Sequence, residues 1–230
     1  EILIGLVGSE MCIRDRCYSY NGGETKISAD LSSYMNGYQD PRREIYGVTS
    51  TFDESENITN GFHGLRVGNE YPIKTGQCYS NVKVEVSSPI MWMNAAEVMF
   101  LRAEAALRGW DTEKTPKAYY EAGIRLSFEQ LGAKNVEDYL VSTNTPESYK
   151  DPLGTYSFSG TPSTISVQWK DGNFEESLER IITQKWIANF PLGLEAWAEF
   201  RRTGYPKLMG TASNKSGGDI EEGKFPRRLT

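Results

Sequence analysis

The segment from Ile90 to Ala133 constrains the fold most. Val98, Leu101, Ala105 and Leu107, with Phe100 and Ala103, recur at helical spacing over about four turns, and the run ends at Gly109. Thr115-Pro116 then opens a second helix with proline at its first position, and Ala118, Tyr119, Ala122, Ile124, Leu126, Phe128 and Leu131 lead to a stop at Gly132. The short link Trp110–Lys114 leaves the two helices antiparallel neighbours. A chain built around such an αα-hairpin must bury one apolar stripe against another, so a mostly α fold is predicted.

The rest of the chain divides around that hairpin. Residues 17–88 are rich in Gly, Ser, Asn and Tyr. Within them Ser28–Asn36 has apolar residues at 31, 34 and 35, Ser28 as N-cap and Gly37 as stop, which predicts a short helix followed by a turn at Gln39-Asp40-Pro41-Arg42. Val82-Lys83-Val84-Glu85-Val86 alternates and reads as one of a few short strands. Residues 89–141 hold the hairpin and a further short helix expected at Asn135–Val141; residues 142–171 form a long irregular connection heavy in Ser, Thr, Pro and Gly. Residues 172–206 return to helix, first over Phe174–Asn189 with Leu178, Ile181, Ile182, Trp186, Ile187 and Phe190 on one side, then over Gly193–Arg202 up to Gly204 and Pro206. Trp186 and Trp197 read as core. Residues 207–230 are a polar tail that reads as truncated. The Ala/Gly spacing and aromatic positions of the hairpin resemble a tetratricopeptide-type unit, in one convincing copy.

Charge and composition exclude several function classes. With 31 acidic and 25 basic side chains the chain carries a net charge of -6, which removes the long-range attraction that nucleic acid binding requires. His63 is the sole histidine, so a histidine-rich zinc site cannot be built and no metal site or cofactor is expected. No phosphate loop or nucleophile elbow is present. No stretch approaches the roughly 18 apolar residues of a membrane span. Residues 1–16 are expected not to be native: Met11-Cys12-Ile13-Arg14-Asp15-Arg16 is what a transposon end used in sequencing-library preparation encodes, and Gly5–Glu10 follow from the adjoining adapter in the same frame. Cys17 and Cys78 are then too sparse for a disulfide framework.

Two blocks carry a family resemblance. Pro89-Ile90-Met91-Trp92-Met93-Asn94-Ala95-Ala96-Glu97-Val98-Met99-Phe100-Leu101-Arg102-Ala103-Glu104-Ala105-Ala106-Leu107-Arg108-Gly109-Trp110 is one. Gln184–Phe190, running into Glu195-Ala196-Trp197 and Phe200–Pro206, is the other. With the Asp40-Pro41-Arg42 turn and the terminal Phe225-Pro226-Arg227-Arg228-Leu229, they resemble the SusD/RagB family of surface nutrient-binding lipoproteins. The resemblance covers most of residues 28–230. It implies a mostly α fold of tetratricopeptide-like helix pairs with long irregular loops and a few short strands. It further implies a protein at the outer membrane, anchored by a lipidated cysteine that this stretch lacks, partnering a SusC-like TonB-dependent transporter and capturing an oligosaccharide or other nutrient. Residues 17–230 would be roughly the C-terminal half of such a domain.

Sugar recognition needs flat apolar surfaces flanked by amide, carboxylate or guanidinium groups. Aromatics on loops meet that need, and Phe62, Arg66, Asn69, Tyr71 and Trp169 are the candidate ligand-binding residues, with His63 nearby as a surface hydrogen-bonding group. Glu97 and Glu104, seven apart on one helix, could be read as a carboxylate pair for glycoside hydrolysis, loop carboxylates being the other source of such a pair. Ion pairing with Arg102, Arg108, Arg201 or Arg202 is the simpler reading of both, and no catalytic residue is assigned. The expected function is therefore non-enzymatic nutrient binding, with a tetratricopeptide-like interaction scaffold lacking a small-molecule site as the alternative.

Overall fold

The computed structural model describes residues 25–50, 61–70, 78–84, 88–89, 91–110, 112–215 and 217. Tyr71, Cys17, the terminal Phe225–Leu229 block and residues 1–16 lie outside them. The described residues form helices α1 (Ala29–Gly37), α2 (Arg43–Tyr46), α3 (Ala95–Leu107), α4 (Pro116–Leu131), α5 (Val136–Leu140), α6 (Phe174–Ala188) and α7 (Gly193–Thr203). The α2 turn was not foreseen. β structure among the described residues is confined to isolated bridges, so the expected strand at 82–86 reduces to the antiparallel bridge Gly47–Val82, with residues 85–87 outside the description.

Local chemistry sets the helix ends. The Ser28 hydroxyl accepts from the Leu31 N–H at 3.2 Å, and Thr115 does the same for Ala118 before a proline whose missing N–H costs nothing at that position. Gly132 and Gly204 close α4 and α7 in the left-handed conformation, with φ of 67° and 80°. The Asn94 side chain both accepts from Ala96 N–H at 2.9 Å and donates to the Ala188 carbonyl at 2.7 Å. One residue thus caps α3 and ties it to the end of α6.

The αα-hairpin packs as its periodicity requires, α3 on α4, with α6 across both. Phe100, Ala103, Tyr120, Ile124, Phe128, Leu178, Ile181 and Ile187 fill the space between them, together with Leu31, Tyr34 and Met35 from α1. Gly123 allows the close approach: a Cβ there would stand 2.8 Å from Phe100 ring atoms. The broad apolar stripe of α3 divides in two. Ala96, Phe100 and Ala103 are buried, whereas Val98 and Leu101 face outward. Trp186 packs against the core from a partly buried position, but Trp197 is 39% exposed. Helix α7 buries only Phe200, and Trp197 stacks beside that ring with centroids 6.0 Å apart, so the expectation that Trp197 is core is corrected.

The long connection at 142–171 lacks helix yet is firmly seated. Buried tyrosines donate to its carbonyls, Tyr38 to Ile165 at 2.8 Å and Tyr120 to Val167 at 2.6 Å, and Arg180 donates to Ser166 at 3.0 Å. Each bond satisfies a loop carbonyl that water no longer reaches. Burial raises both phenols far above their ordinary range, so they remain donors.

Candidate functional site

The C-terminus of α1 and the turn after it build the floor of a cleft. The chain leaves α1 through Gln39, a non-glycine residue at φ 53°, whose N–H bonds the Asn36 carbonyl while the Asp40 N–H returns to Met35. Pro41 and the α2 turn follow, and the whole bend is nailed down from beneath. Asp40 and Arg42 are buried as an ion pair, and the Arg42 guanidinium also donates to Ser127 at 2.9 Å, Tyr139 at 3.1 Å and Gln184 at 3.0 Å. Its plane lies over the Phe128 and Tyr139 rings at 4.9 and 5.3 Å. A guanidinium with every direction occupied fixes the bend relative to α4, α5 and α6.

Above that floor lies a cleft of about 710 Å³ lined by Asn36, Gln39, Asp40, Pro41, Arg43, Glu44, Gly61, Phe62, His63 and Glu147. A second recess of about 270 Å³ shares Asn36, Phe62, His63 and Glu147 and adds Ser148, Tyr149 and Lys150. Asn36 joins the walls, donating to the Phe62 carbonyl at 3.0 Å and accepting from Arg43 at 3.1 Å. The 145–147 strand of loop is pressed onto α1: the Ser33 hydroxyl donates to the Glu147 carbonyl, and a Cβ at Gly37 would stand 2.3 Å from the Thr145 oxygen. Amide, guanidinium, imidazole and carboxylate groups therefore face one cavity, with cations and anions both represented. Such a set recognises hydroxyl groups, each of which donates one hydrogen bond and accepts others.

The candidates named from sequence fall in three places. Phe62 borders the cleft while most of its ring is in the core. Arg66 and Asn69 meet at a junction of loops. Arg66 donates to the carbonyls of Gly210, Tyr156 and Ser157 at 2.9–3.2 Å and lies over the Phe158 ring. Asn69 donates to the Tyr79 hydroxyl at 3.0 Å, which donates in turn to Asp151 at 2.6 Å. Trp169 belongs to neither group: it packs against Tyr120 with centroids 5.3 Å apart and donates to Asp171 at 2.8 Å. Tyr71 is outside the described residues. Asn36, Gln39, Arg43, Glu44 and Glu147 were not foreseen, and the Asp40-Pro41-Arg42 turn beside four of them was the signal available.

The carboxylate pair on α3 is structural. Lys185, itself buried, sits 3.1 Å from both Glu97 and Glu199 and links α3, α6 and α7. Glu104 receives Arg108 at 2.8 Å and two bonds from Arg202 at 2.6 Å. Burial alone would raise the Glu104 carboxyl, but the hydrogen bonds from Arg202 and Arg108 hold it below its ordinary range. A general acid for glycoside hydrolysis needs the opposite shift. Among the described residues, no group of three or more His, Cys, Asp or Glu side chains is placed to hold a metal ion, and no helix is long and apolar enough to cross a membrane.

Comparison with known proteins agrees with this architecture. The sequence model described as SusD-like, "Susd and RagB outer membrane lipoprotein", matches residues 10–230. No curated protein sequence matches the chain. Among solved structures, a SusD homologue from Bacteroides ovatus is 48% identical, with a TM-score of 0.84 over 91% of this chain and 45% of its own. A SusD homologue from Bacteroides uniformis is 45% identical, with a TM-score of 0.84 over 93% of this chain and 44% of its own. A chitin-binding SusD homologue from Flavobacterium johnsoniae is 41% identical, with a TM-score of 0.82 over 91% of this chain and 43% of its own. The chain spans less than half the length of each of these relatives.

Proposed function

Since this chain belongs to the SusD/RagB family of outer membrane lipoproteins, we propose that it is part of a cell-surface protein that binds a neutral oligosaccharide and delivers it to a SusC-like TonB-dependent transporter. The observation that carries the ligand class is the cleft beside the Asp40-Pro41-Arg42 bend. With the Asp40 carboxylate paired to the buried Arg42, the cleft and the recess beside it carry both signs of charge, Arg43 of the cleft and Lys150 of the recess against Glu44 and Glu147, so an anionic chain meets carboxylates and a cationic one meets cations. An uncharged, hydroxyl-rich ligand meets neither penalty and pairs with the amides of Asn36 and Gln39. The family also includes a chitin-binding relative from Flavobacterium johnsoniae, which supports a neutral glycan.

Function here is binding with no bond broken. The floor of the cleft is held by the buried Arg42 network, which lowers the ordering cost when a flexible sugar docks. The Phe62 edge supplies a small apolar contact, and Arg66 and Asn69 brace the loop that continues from Lys150, through bonds to Tyr156, Ser157 and the Tyr79–Asp151 pair. Titration calorimetry of the purified chain against neutral oligosaccharides, chitin-derived ones included, tests the reading, with uronic-acid oligomers as the contrast. Binding confined to the acidic oligomers, or affinity unchanged by Asn36→Ala and Gln39→Ala, refutes it. Release of shorter sugars by the purified chain would overturn the non-enzymatic part. Co-purification of a TonB-dependent transporter from the native outer membrane tests the partnership.

A further inference from the structure

The recess beside the cleft is closed at its inner end. Along α1 the shared wall is Asn36, and the recess runs back from it to Ser32, one helical turn or roughly 6 Å, which is the length of a single sugar ring. Beyond Ser32 the walls meet. Gly64 lies so close to α1 that a Cβ there would stand 2.1 Å from the Ser28 carbonyl oxygen. The buried Tyr149 donates its hydroxyl to the Gly64 carbonyl at 2.7 Å and packs on Ala29 and Met209 behind it. On the remaining side the loop is held to α1 by the Ser33 hydroxyl on the Glu147 carbonyl and by the Glu147 N–H on the Ser33 carbonyl at 3.1 Å. A chain entering from the cleft therefore has no path onward past Ser32 and Tyr149.

We propose that the recess is a terminal subsite: a neutral oligosaccharide lying in the cleft places its end unit there, so the protein captures free chain ends in preference to internal stretches. The inference rests on the reading of the cleft as an oligosaccharide site and adds to it which part of the chain is held. The chemistry of the walls agrees with an end unit. Inside, the Ser32 hydroxyl donates to the Ala29 carbonyl at 3.0 Å and the Tyr149 hydroxyl is spent on Gly64, which leaves hydroxyl lone pairs to accept from a sugar. At the rim stand the exposed Glu147 carboxylate and the exposed Lys150 ammonium. An end unit carries a hydroxyl that a glycosidic bond removes from an internal unit, and such a hydroxyl donates to a carboxylate while accepting from an ammonium.

The test is calorimetry of the purified chain against hexamers of glucose, N-acetylglucosamine, xylose and mannose, each paired with a long soluble polymer of the same sugar. A hexamer that binds is expected to do so at least about tenfold more tightly, per mass of sugar, than its polymer, whose ends are scarce. Lys150→Ala and Ser148→Trp, both at exposed rim positions, are each expected to weaken hexamer binding about tenfold with the melting temperature unchanged. Equal affinity for hexamer and polymer overturns the terminal subsite, as does hexamer binding that both variants leave unchanged. Weakening by Gln39→Ala, which lines the cleft alone, together with no effect of the two rim variants keeps the oligosaccharide site and removes only its terminal subsite. Failure of every hexamer and every polymer to bind overturns both readings.

Discussion

Replacing Arg42 by alanine is expected to destabilise the fold more than any substitution in the cleft above it. The side chain is fully buried, paired to Asp40 and bonded to Ser127, Tyr139 and Gln184. Truncation leaves the Asp40 carboxylate without its cation and several oxygens without a donor, and it opens a void against the Phe128 and Tyr139 rings. Breaking one side of a buried ion pair costs about 3–5 kcal/mol. For a domain of this size that is a loss of roughly 6–20 °C in melting temperature. Urea unfolding followed by circular dichroism measures it directly. The decisive comparison is with the double variant Asp40→Asn/Arg42→Met, which removes both charges and keeps apolar volume. It is expected to recover at least about 2 kcal/mol relative to the sum of the single effects. An Arg42→Ala variant within about 1 kcal/mol of the parent, or a double variant with additive losses, would refute the view that the uncompensated carboxylate dominates.

Asp30 offers a pH dependence: burial pushes its carboxyl up to about 6, against the Met209 N–H it accepts at 2.6 Å and the charge of Arg66, which both act downward. The folded chain then binds this proton more tightly than the unfolded one, so stability falls as pH rises from about 4 to about 7. Asp30→Asn should flatten that slope in melting profiles and raise stability at neutral pH. Gln39→Gly should stabilise by about 1 kcal/mol by relieving the left-handed residue at φ 53°, while weakening oligosaccharide binding in calorimetry; loss of stability would show the side chain holds the bend. Gly123→Ala places a methyl 2.8 Å from the Phe100 ring and is expected to cost about 1–3 kcal/mol in urea unfolding, the expected sign of overpacking between α3 and α4.

Much of the helical scaffold is legible in the residues because its signals are local. Ser28, Thr115-Pro116, Gly132 and Gly204 each act within a turn of the backbone they cap, and their effects do not depend on what lies across the core. The same locality explains the unforeseen parts. A stripe of apolar residues shows that α3 packs but not which side of it this chain covers, so Val98 and Leu101 read like Phe100 until the packing is seen. Trp197 read as core for the same reason.

The candidate site was the least legible. Residue type points to Arg66 and Trp169 as ligand contacts; the structure adds that Arg66 bonds three loop carbonyls and that Trp169 lies against Tyr120. The cleft and its neighbouring recess are lined from α1, the bend after it, residues 61–63 and the loop at 147–150, segments more than a hundred residues apart at the extremes. The sequence by itself determined where α1 and α4 begin and end and where α7 stops, that α3 and α4 form a hairpin, and that a turn falls at Gln39–Arg42. Tertiary structure alone decided which cations the two glutamates meet, Lys185 at Glu97 and Arg108 with Arg202 at Glu104, that Arg42 is buried beneath the bend, and which polar groups share a cavity. Caps and periodicity act over a few residues, whereas convergence of side chains depends on long-range contacts that no short stretch of sequence specifies.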